Sequence, residues 1–255
     1  MSTGPFVWYE LMTTDPKAAM AFYTDVVGWK TEAFPGPAGP EPYTMWVGSQ
    51  GPLGGVMTLP EEAKKMGAPP HWMGHVEVDD LAGAVAKVKE LGGQIYVPPT
   101  DIPTVGAFSV IADPQGASLS LFKPSQAMAP HQEKAGEFCW RELMTSDAAA
   151  ALKFYSAVCG WNLESEMDMG PMGKYLIYGQ NGKQYGGMMN KPAEMPVSAW
   201  GYYVDVEDLD AALKRATDKG AKLMNGPMEV PGGARIAQLV DPQGAFFALH
   251  SLTKK

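Results

Sequence analysis

The stretch FVWYELMTTDPKAAMAFYTDVVGW at residues 6–29 recurs as FCWRELMTSDAAAALKFYSAVCGW at residues 138–161. The two stretches align without a gap, so each matching residue returns 132 positions later. Further along the chain, three more pairs of segments match, namely 54–60 with 186–192, 75–85 with 203–213, and 112–122 with 240–250. Self-similarity of this extent indicates an internal duplication.

Each copy contains local signals for strands and helices in a fixed order. Residues 6–12 alternate in polarity like a strand, and Asp15 followed by Pro16 is typical of a helix start. That helix is predicted to end at Gly28, and strands are expected near 43–47 and 54–59. The second half of the copy repeats this order, and its DPQG segment at 113–116 predicts a type I turn between two strands. The predicted fold class is α+β, built from four βαβββ units.

The composition describes an acidic chain with ample material for a core. Of its 255 residues, 45% are hydrophobic, and the net charge is −8 at pH 7. Proteins that read nucleic acid present a basic surface, and a membrane span needs about 18 or more consecutive apolar residues, so we expect neither partner. The first residues lack the pattern of a signal peptide, and Cys139 and Cys159 are expected to be reduced. We therefore expect a cytoplasmic protein that is a monomer or a homodimer.

The repeated motifs resemble the vicinal oxygen chelate superfamily, which includes glyoxalase I, bleomycin-resistance proteins and extradiol dioxygenases. The resemblance rests on the WxE opening and aspartate of each copy, on the FY and GW pairs around the helix end, and on the two DPQG hairpins. It implies two tandem glyoxalase-like domains, each with a cup-shaped sheet flanked by helices. The predicted domains are residues 1–123 and 137–255, joined by a linker at 124–136. Small molecules would bind inside the cups.

Metal enzymes of this superfamily hold their ion in the cup with up to four side chains, usually His, Glu or Gln. The resemblance carries those positions onto Trp8, Met57, Met73 and Ser120 in the first copy and onto Trp140, Met189, Gly201 and Ala248 in the second. Indole and thioether groups do not suit a hard or borderline divalent ion. No metal cofactor is therefore expected in either cup.

Strand alternation predicts which other side chains face each cup. They are Glu10, Met12, His75 and Glu77 in the first copy and Glu142, Met144, Tyr203, Asp205 and His250 in the second. A carboxylate in an apolar pocket tends to have a raised pKa and, beside an imidazole, can serve as a general acid or base. The predicted catalytic pairs are therefore Glu10 with His75 and Glu142 with His250. The alternative for both glutamates is a structural carboxylate bonded to the backbone or to a tyrosine hydroxyl.

The methionines complete the functional expectation. The chain contains 17 of them, and several fall at predicted cup positions, where an adaptable thioether suits a flat apolar or aromatic ligand. The alternative is that they fill the space of a lost metal site. The favoured function, given the resemblance, is a metal-independent small-molecule binding protein of the glyoxalase/bleomycin-resistance superfamily, with apolar cups lined by Met and Trp. The alternatives are a metal-independent lyase or isomerase using a Glu–His pair, and a metal-dependent glyoxalase or dioxygenase.

Overall fold

The computed structural model describes residues 4–35, 43–128, 132 and 134–252. The strands of the first copy are β1 (Phe6–Thr13), β2 (Lys30–Ala33), β3 (Thr44–Gly48), β4 (Gly51–Thr58), β5 (His71–Glu77), β6 (Gln94–Ile102), β7 (Gly106–Ala112) and β8 (Ser118–Pro124). Its helices are α1 (Pro16–Val27), α2 (Glu61–Lys65) and α3 (Leu81–Glu90). The strands of the second copy are β9 (Phe138–Thr145), β10 (Asn162–Asp168), β11 (Lys174–Gln180), β12 (Lys183–Asn190), β13 (Ala199–Asp205), β14 (Lys222–Val230), β15 (Ala234–Val240) and β16 (Phe246–Leu252). Its helices are α4 (Ala148–Cys159) and α5 (Leu209–Asp218), with a 3-10 turn at Gly170–Met172.

Each copy forms one eight-stranded sheet, and the two sheets have equivalent strand orders. The first order is β2-β3-β4-β1-β5-β8-β7-β6, and the second is β10-β11-β12-β9-β13-β16-β15-β14. In the first sheet, β1 runs parallel to β4 and β5 runs parallel to β8, while the outer strands form antiparallel hairpins. Each half-sheet with its helix is a βαβββ unit. The predicted α+β class with four βαβββ units is confirmed.

Contacts group the chain into two compact units, each assembled from separate segments. Unit 1 comprises described residues within 1–7, 73–129 and 140–201, and unit 2 comprises those within 8–72, 130–139 and 202–255. Helices α3 and α4 pack together in unit 1, and α1 and α5 pack together in unit 2. The domain boundaries expected at 123 and 137 stay a prediction. Part of the predicted linker, at 129–131 and 133, lies outside the described residues.

Helix α1 begins and ends where the sequence predicts because both of its ends are capped. The Asp15 carboxylate accepts a hydrogen bond from the backbone N–H of Ala18 at 3.0 Å, which satisfies one otherwise orphaned donor of the first turn. At the other end, Gly28 adopts φ +90°, a left-handed conformation that glycine reaches without steric cost. Helix α4 repeats this arrangement with Asp147 and Gly160. The buried face of α1 consists of Ala19, Phe22, Tyr23 and Val26.

The FY and DPQG motifs meet each other in the core of each unit. In unit 2, the Tyr23 hydroxyl donates to Oδ2 of Asp241 at 3.0 Å and accepts from the Trp72 indole at 2.9 Å. In unit 1, the Tyr155 hydroxyl donates to Oδ2 of Asp113 at 3.1 Å. Each tyrosine therefore comes from one copy and its aspartate from the other. Because these groups are buried and hydrogen-bonded to one another, the two motifs stabilise the core.

Cys139 is half-buried, Cys159 is buried, and no disulfide joins them. None of the described helices has the length and apolar character needed to cross a membrane. The cytoplasmic location stays a prediction.

Candidate functional site

A chain of hydrogen bonds links Trp8, Tyr43 and Glu10 in unit 2, and we call it the first triad. The Trp8 indole N–H donates to the Tyr43 hydroxyl at 2.9 Å, and that hydroxyl donates to Oε2 of Glu10 at 2.6 Å. Trp8 and Glu10 lie two residues apart on β1, so their side chains project from the same face of the strand. Tyr43 immediately precedes β3. Glu10 is aligned with Gly55 on β4, where a Cβ atom would lie only 1.9 Å from the tyrosine oxygen, so glycine is needed for this contact.

The Glu10 carboxyl is the group of the first triad whose pKa lies near neutral pH. Its side chain is buried, with 7% of the residue exposed, and desolvation raises its pKa from 4.5 to about 7 despite the opposing hydrogen bonds from Tyr43 and Trp8. Burial and the neighbouring carboxylate raise the pKa of Tyr43, so its hydroxyl stays protonated and acts as a donor. The second oxygen, Oε1 of Glu10, is buried without a hydrogen-bond partner among the described residues. Glu10 thus has one oxygen held and one available near neutral pH.

Unit 1 contains the equivalent second triad of Trp140, Tyr175 and Glu142. The Trp140 indole donates to the Tyr175 hydroxyl at 2.8 Å, which donates to Oε1 of Glu142 at 2.9 Å. Glu142 is aligned with Gly187 on β12, and a Cβ there would lie 2.1 Å from the tyrosine ring. Burial and the charge of Glu142 raise the pKa of Tyr175. The tyrosine contact left open by the sequence therefore occurs in both copies.

An apolar cluster rich in methionine surrounds the second triad. Its buried members are Tyr175, Ile177 and Met189, and the partly buried side chains packed against them are Trp140, Met144, Met167 and Met169. The predicted ligand-binding residues Trp140, Met144 and Met189 thus lie together. Met167 and Met169, which come from β10 and the turn after it, were not anticipated. Partly buried methionines on one surface provide an adaptable apolar contact area.

Methionines at the equivalent places in the first copy are distributed differently. Met12 and Met57 are aligned on the parallel strands β1 and β4. Met12 is buried, whereas 37% of Met57 is exposed. Met73 is buried on β5. Of these three methionines, Met57 is the one whose side chain reaches the surface.

His75 lies on β5 and is assigned to unit 1, whereas Glu10 is assigned to unit 2. Desolvation lowers the pKa of its imidazole to about 4, so the ring is neutral at physiological pH. Its Nε2 atom is buried without a hydrogen-bond partner among the described residues, and so is the hydroxyl oxygen of Ser120, the residue aligned with His75 on β8. Glu77 is half-buried. Its pKa is raised mainly by burial and, to a smaller extent, by the negative charge of Asp79. The catalytic pairing of Glu10 with His75 stays a prediction.

His250 has a carboxylate partner, but it is Asp205. Nδ1 of His250 and Oδ1 of Asp205 are 2.8 Å apart, and the two residues are aligned on β16 and β13 of unit 2. Glu142, the partner predicted for His250, belongs to unit 1 and bonds to Tyr175. Cys139 joins the His–Asp pair, since one donor atom from each of the three residues lies within 4.8 Å of the others. Tyr203, also predicted to face the cup, accepts a hydrogen bond on its hydroxyl from Gln238 at 2.6 Å.

The eight positions that would hold the superfamily's metal ion do not supply a suitable set of donors. Trp8 and Trp140 direct their indole N–H groups to tyrosine hydroxyls, and an indole nitrogen is a donor without a free lone pair. Gly201 and Ala248 have no ligating atom, and the remaining side chains are thioethers and one hydroxyl. This set does not fit a hard or borderline divalent ion.

Besides Met167 and Met169, sequence reasoning missed three residues that build these sites, namely Tyr43, Tyr175 and Cys139. Tyr43 and Tyr175 are separated by the same 132 positions as the other repeated residues, so a search for paired hydroxyls at that offset would have found them. Cys139 gave no such signal, because the first copy has Val7 at the equivalent position.

Comparison with protein families identifies one match that covers both copies. The model of the Glyoxalase/Bleomycin resistance protein/Dioxygenase superfamily matches residues 6–121 and 138–249. These two ranges correspond to the two eight-stranded sheets.

Curated relatives are similar over nearly the full chain. Protein CFP32 of Mycobacterium tuberculosis, which carries a glyoxylase name, is 34% identical over 243 residues, covering 95% of this chain and 92% of its own. The anthracycline biosynthesis protein DnrV of Streptomyces peucetius is 27% identical over 263 residues, covering 98% and 94%.

Solved structures share the fold at low sequence identity. The Mn(II)-bound glyoxalase from Novosphingobium aromaticivorans superposes with a TM-score of 0.67 at 16% identity, covering 99% of this chain and 83% of its own. The 2,3-dioxygenase LapB from Pseudomonas sp. KL28 gives a TM-score of 0.64 at 12% identity, covering 98% and 91%. At these identities the likeness concerns the fold.

Proposed function

Starting from the fact that the chain belongs to the Glyoxalase/Bleomycin resistance protein/Dioxygenase superfamily, we propose that it binds a small, mainly apolar molecule. The observation that carries the proposal is the Glu10 carboxyl, which is buried and is held by Tyr43 through one oxygen, while the other oxygen has no hydrogen-bond partner in the described part of the chain. A buried polar atom without a partner is costly, so a ligand that bonds to Oε1 would recover that cost.

The apolar cluster around the second triad supports the same chemistry. Its methionines and aromatic rings suit a flat hydrophobic surface, and the triad provides a polar group at the same place. The name of the Streptomyces relative places that protein in anthracycline biosynthesis, and anthracyclines are polycyclic aromatic compounds. We therefore propose an aromatic or polycyclic carbonyl compound as the ligand class. Binding of this kind requires no metal ion at the superfamily's ligand positions.

The second candidate is an enzyme that moves a proton on the same ligand. It is favoured by the pKa of Glu10, raised to about 7, because a general acid or base works best when its pKa is near the operating pH. In this scheme the ionised Glu10 takes a proton from carbon next to a carbonyl group and returns it to another atom of the ligand. Tyr43 would hold the carboxylate in position throughout.

Binding is tested with a panel of aromatic and polycyclic carbonyl compounds, using titration calorimetry on the full chain with and without a chelator. We expect micromolar or tighter binding for at least one compound, unchanged by the chelator. Glu10→Gln should weaken it by about tenfold, equivalent to roughly 1.4 kcal/mol, whereas the exposed control Glu62→Gln should not. Absence of binding across the panel, or equal loss in both variants, would contradict the proposal.

Proton transfer is tested separately by incubating a bound compound with the protein in D2O. Incorporation of deuterium next to the carbonyl, lost in Glu10→Gln, would identify an enzyme. Tight binding without exchange would identify a binding protein. A metal-dependent glyoxalase or dioxygenase would instead lose activity when treated with a chelator.

A further inference from the structure

Three residues with metal-ligating side chains meet in unit 2, and none of them is one of the eight positions that the superfamily uses. Cys139 is the second residue of β9, Asp205 ends β13 and His250 lies on β16. The three strands bring together residues that are far apart in the sequence, and all three side chains are half-buried. Such placement excludes much of the bulk water while leaving a path to the site.

The distances suit a metal ion after small side-chain rotations. One donor atom of each residue lies within 4.8 Å of the other two. Bonds of 2.0–2.3 Å in tetrahedral geometry place neighbouring ligand atoms about 3.4 Å apart. The existing bond between His250 and Asp205, at 2.8 Å, uses one nitrogen and one oxygen, so each of these side chains keeps a second atom that can ligate.

The donor types point to a particular class of ion. A thiolate, an imidazole and a carboxylate together are the ligands of zinc sites, and thiolate disfavours Mg²⁺ and Ca²⁺. We propose that Cys139, Asp205 and His250 bind a divalent transition-metal ion, with Zn²⁺ as the ion that their donor set fits best. Three protein ligands leave the fourth tetrahedral position for water or for an atom of a bound molecule. On binding, the Cys139 thiol gives its proton to solvent and the thiolate sulfur forms the bond to the metal.

The proposal is independent of the function proposed above. The triads and the apolar cluster contain none of these three residues. A chelator that empties the metal site should therefore leave the effect of Glu10→Gln on ligand affinity in place, and the two proposals can fail separately.

Cobalt substitution tests the site directly, because the chain has only two cysteines. Full-length protein freed of metal is titrated with Co²⁺, and we expect one ion per chain and a near-ultraviolet thiolate-to-cobalt charge-transfer band that Zn²⁺ displaces. Cys139→Ser should remove the band, whereas the matched control Cys159→Ala should keep it. Asp205→Asn and His250→Gln should lower the affinity for Zn²⁺ by more than the roughly 10–100-fold loss expected for a residue that only orients a ligand. The control His71→Gln should leave the affinity unchanged.

A second measurement needs no variant and so does not depend on how well the substituted chains fold. Mass spectrometry follows alkylation of Cys139 by iodoacetamide in the native protein, with buried Cys159 as the internal control. We expect Zn²⁺ to slow the reaction at Cys139 at least tenfold. The proposal is overturned if Zn²⁺ leaves this rate unchanged, if the cobalt complex lacks the thiolate band, or if the band persists in Cys139→Ser.

Discussion

Tyr43 donates its hydroxyl hydrogen to Oε2 of Glu10 at 2.6 Å, while Oε1 of the same carboxyl is buried without a partner among the described residues. The two oxygens of one side chain therefore have different roles. The tyrosine fixes the carboxyl in place, and the remaining oxygen is available to a bound molecule. Several measurable properties depend on this asymmetry.

Glu10→Gln should remove a pH dependence from the stability of the protein. The pKa of Glu10 is raised from 4.5 to about 7 in the folded state, so between these values the folded chain holds a proton that the unfolded chain has lost. The contribution of Glu10 to the free energy of unfolding is therefore fully present below pH 4.5. It is lost as the pH rises to about 7, by up to about 3 kcal/mol. Urea unfolding across this window measures the slope, with Glu62→Gln as the control. A slope that is identical in Glu10→Gln and the native protein would contradict the assignment.

His75→Gln should change the slope of stability against pH in the direction opposite to Glu10→Gln. The pKa of His75 is lowered from 6.5 to about 4 in the folded state, so between these values the unfolded chain binds a proton that the folded chain does not. This contribution is present above pH 6.5 and is lost as the pH falls towards 4, by up to about 3 kcal/mol. Because the two windows overlap, the two contributions oppose each other in the native protein, and the two single variants should change the slope of stability against pH in opposite directions. Unfolding curves in which both variants tilt alike would refute this.

Tyr43→Phe should raise the pKa of Glu10 further above about 7, because the tyrosine hydrogen bond lowers it. Isotope-detected NMR titration of the glutamate carboxyl carbons measures the shift. Tyr175→Phe is the matched control, since it removes the equivalent hydroxyl from the second triad. An unchanged Glu10 titration in Tyr43→Phe would show that the hydroxyl does not stabilise the ionised carboxyl.

Gly55→Ala should displace Tyr43, since the new Cβ would lie 1.9 Å from the tyrosine oxygen. We expect a loss of about 1–3 kcal/mol in the free energy of unfolding, as for other overpacked sites. A double-mutant cycle with Tyr43→Ala provides the control, because the clash disappears when the ring is absent. Additive losses in the double variant would mean that the glycine serves some other purpose.

Tyr23→Phe should destabilise unit 2 without affecting ligand binding. It removes the hydrogen bond to Asp241 and the acceptor of the Trp72 indole, and leaving such buried groups unpaired costs about 1–3 kcal/mol. Thermal and urea unfolding measure the loss. The exposed Tyr96→Phe is the control and should be neutral. If ligand affinity fell while stability held, the FY motif would belong to the binding site.

The metal-ligand positions are a feature that the residues alone could predict. The resemblance placed Trp8 and Trp140 at the superfamily's first ligand position, and the gapless repeat anchored both. In the structure their indole N–H groups donate to tyrosine hydroxyls. The hydrogen-bond partners of the predicted catalytic histidines were harder to predict from the sequence. His250 was expected beside Glu142 and lies beside Asp205, because alternation along a strand gives the face of a side chain but not its neighbour on that face.

The sequence by itself determined the duplication, the four βαβββ units, the helix caps at Asp15 and Gly28, and the turns of the DPQG hairpins. These features depend on residues a few positions apart, so local hydrogen bonds and strand alternation are enough to specify them. Only the tertiary structure decided that Tyr43 reaches Glu10, that Tyr23 from one copy bonds to Asp241 from the other, and that Cys139 joins Asp205 and His250. Such contacts depend on strand order and register, which bring together residues separated by tens to hundreds of positions through the packing of the whole chain.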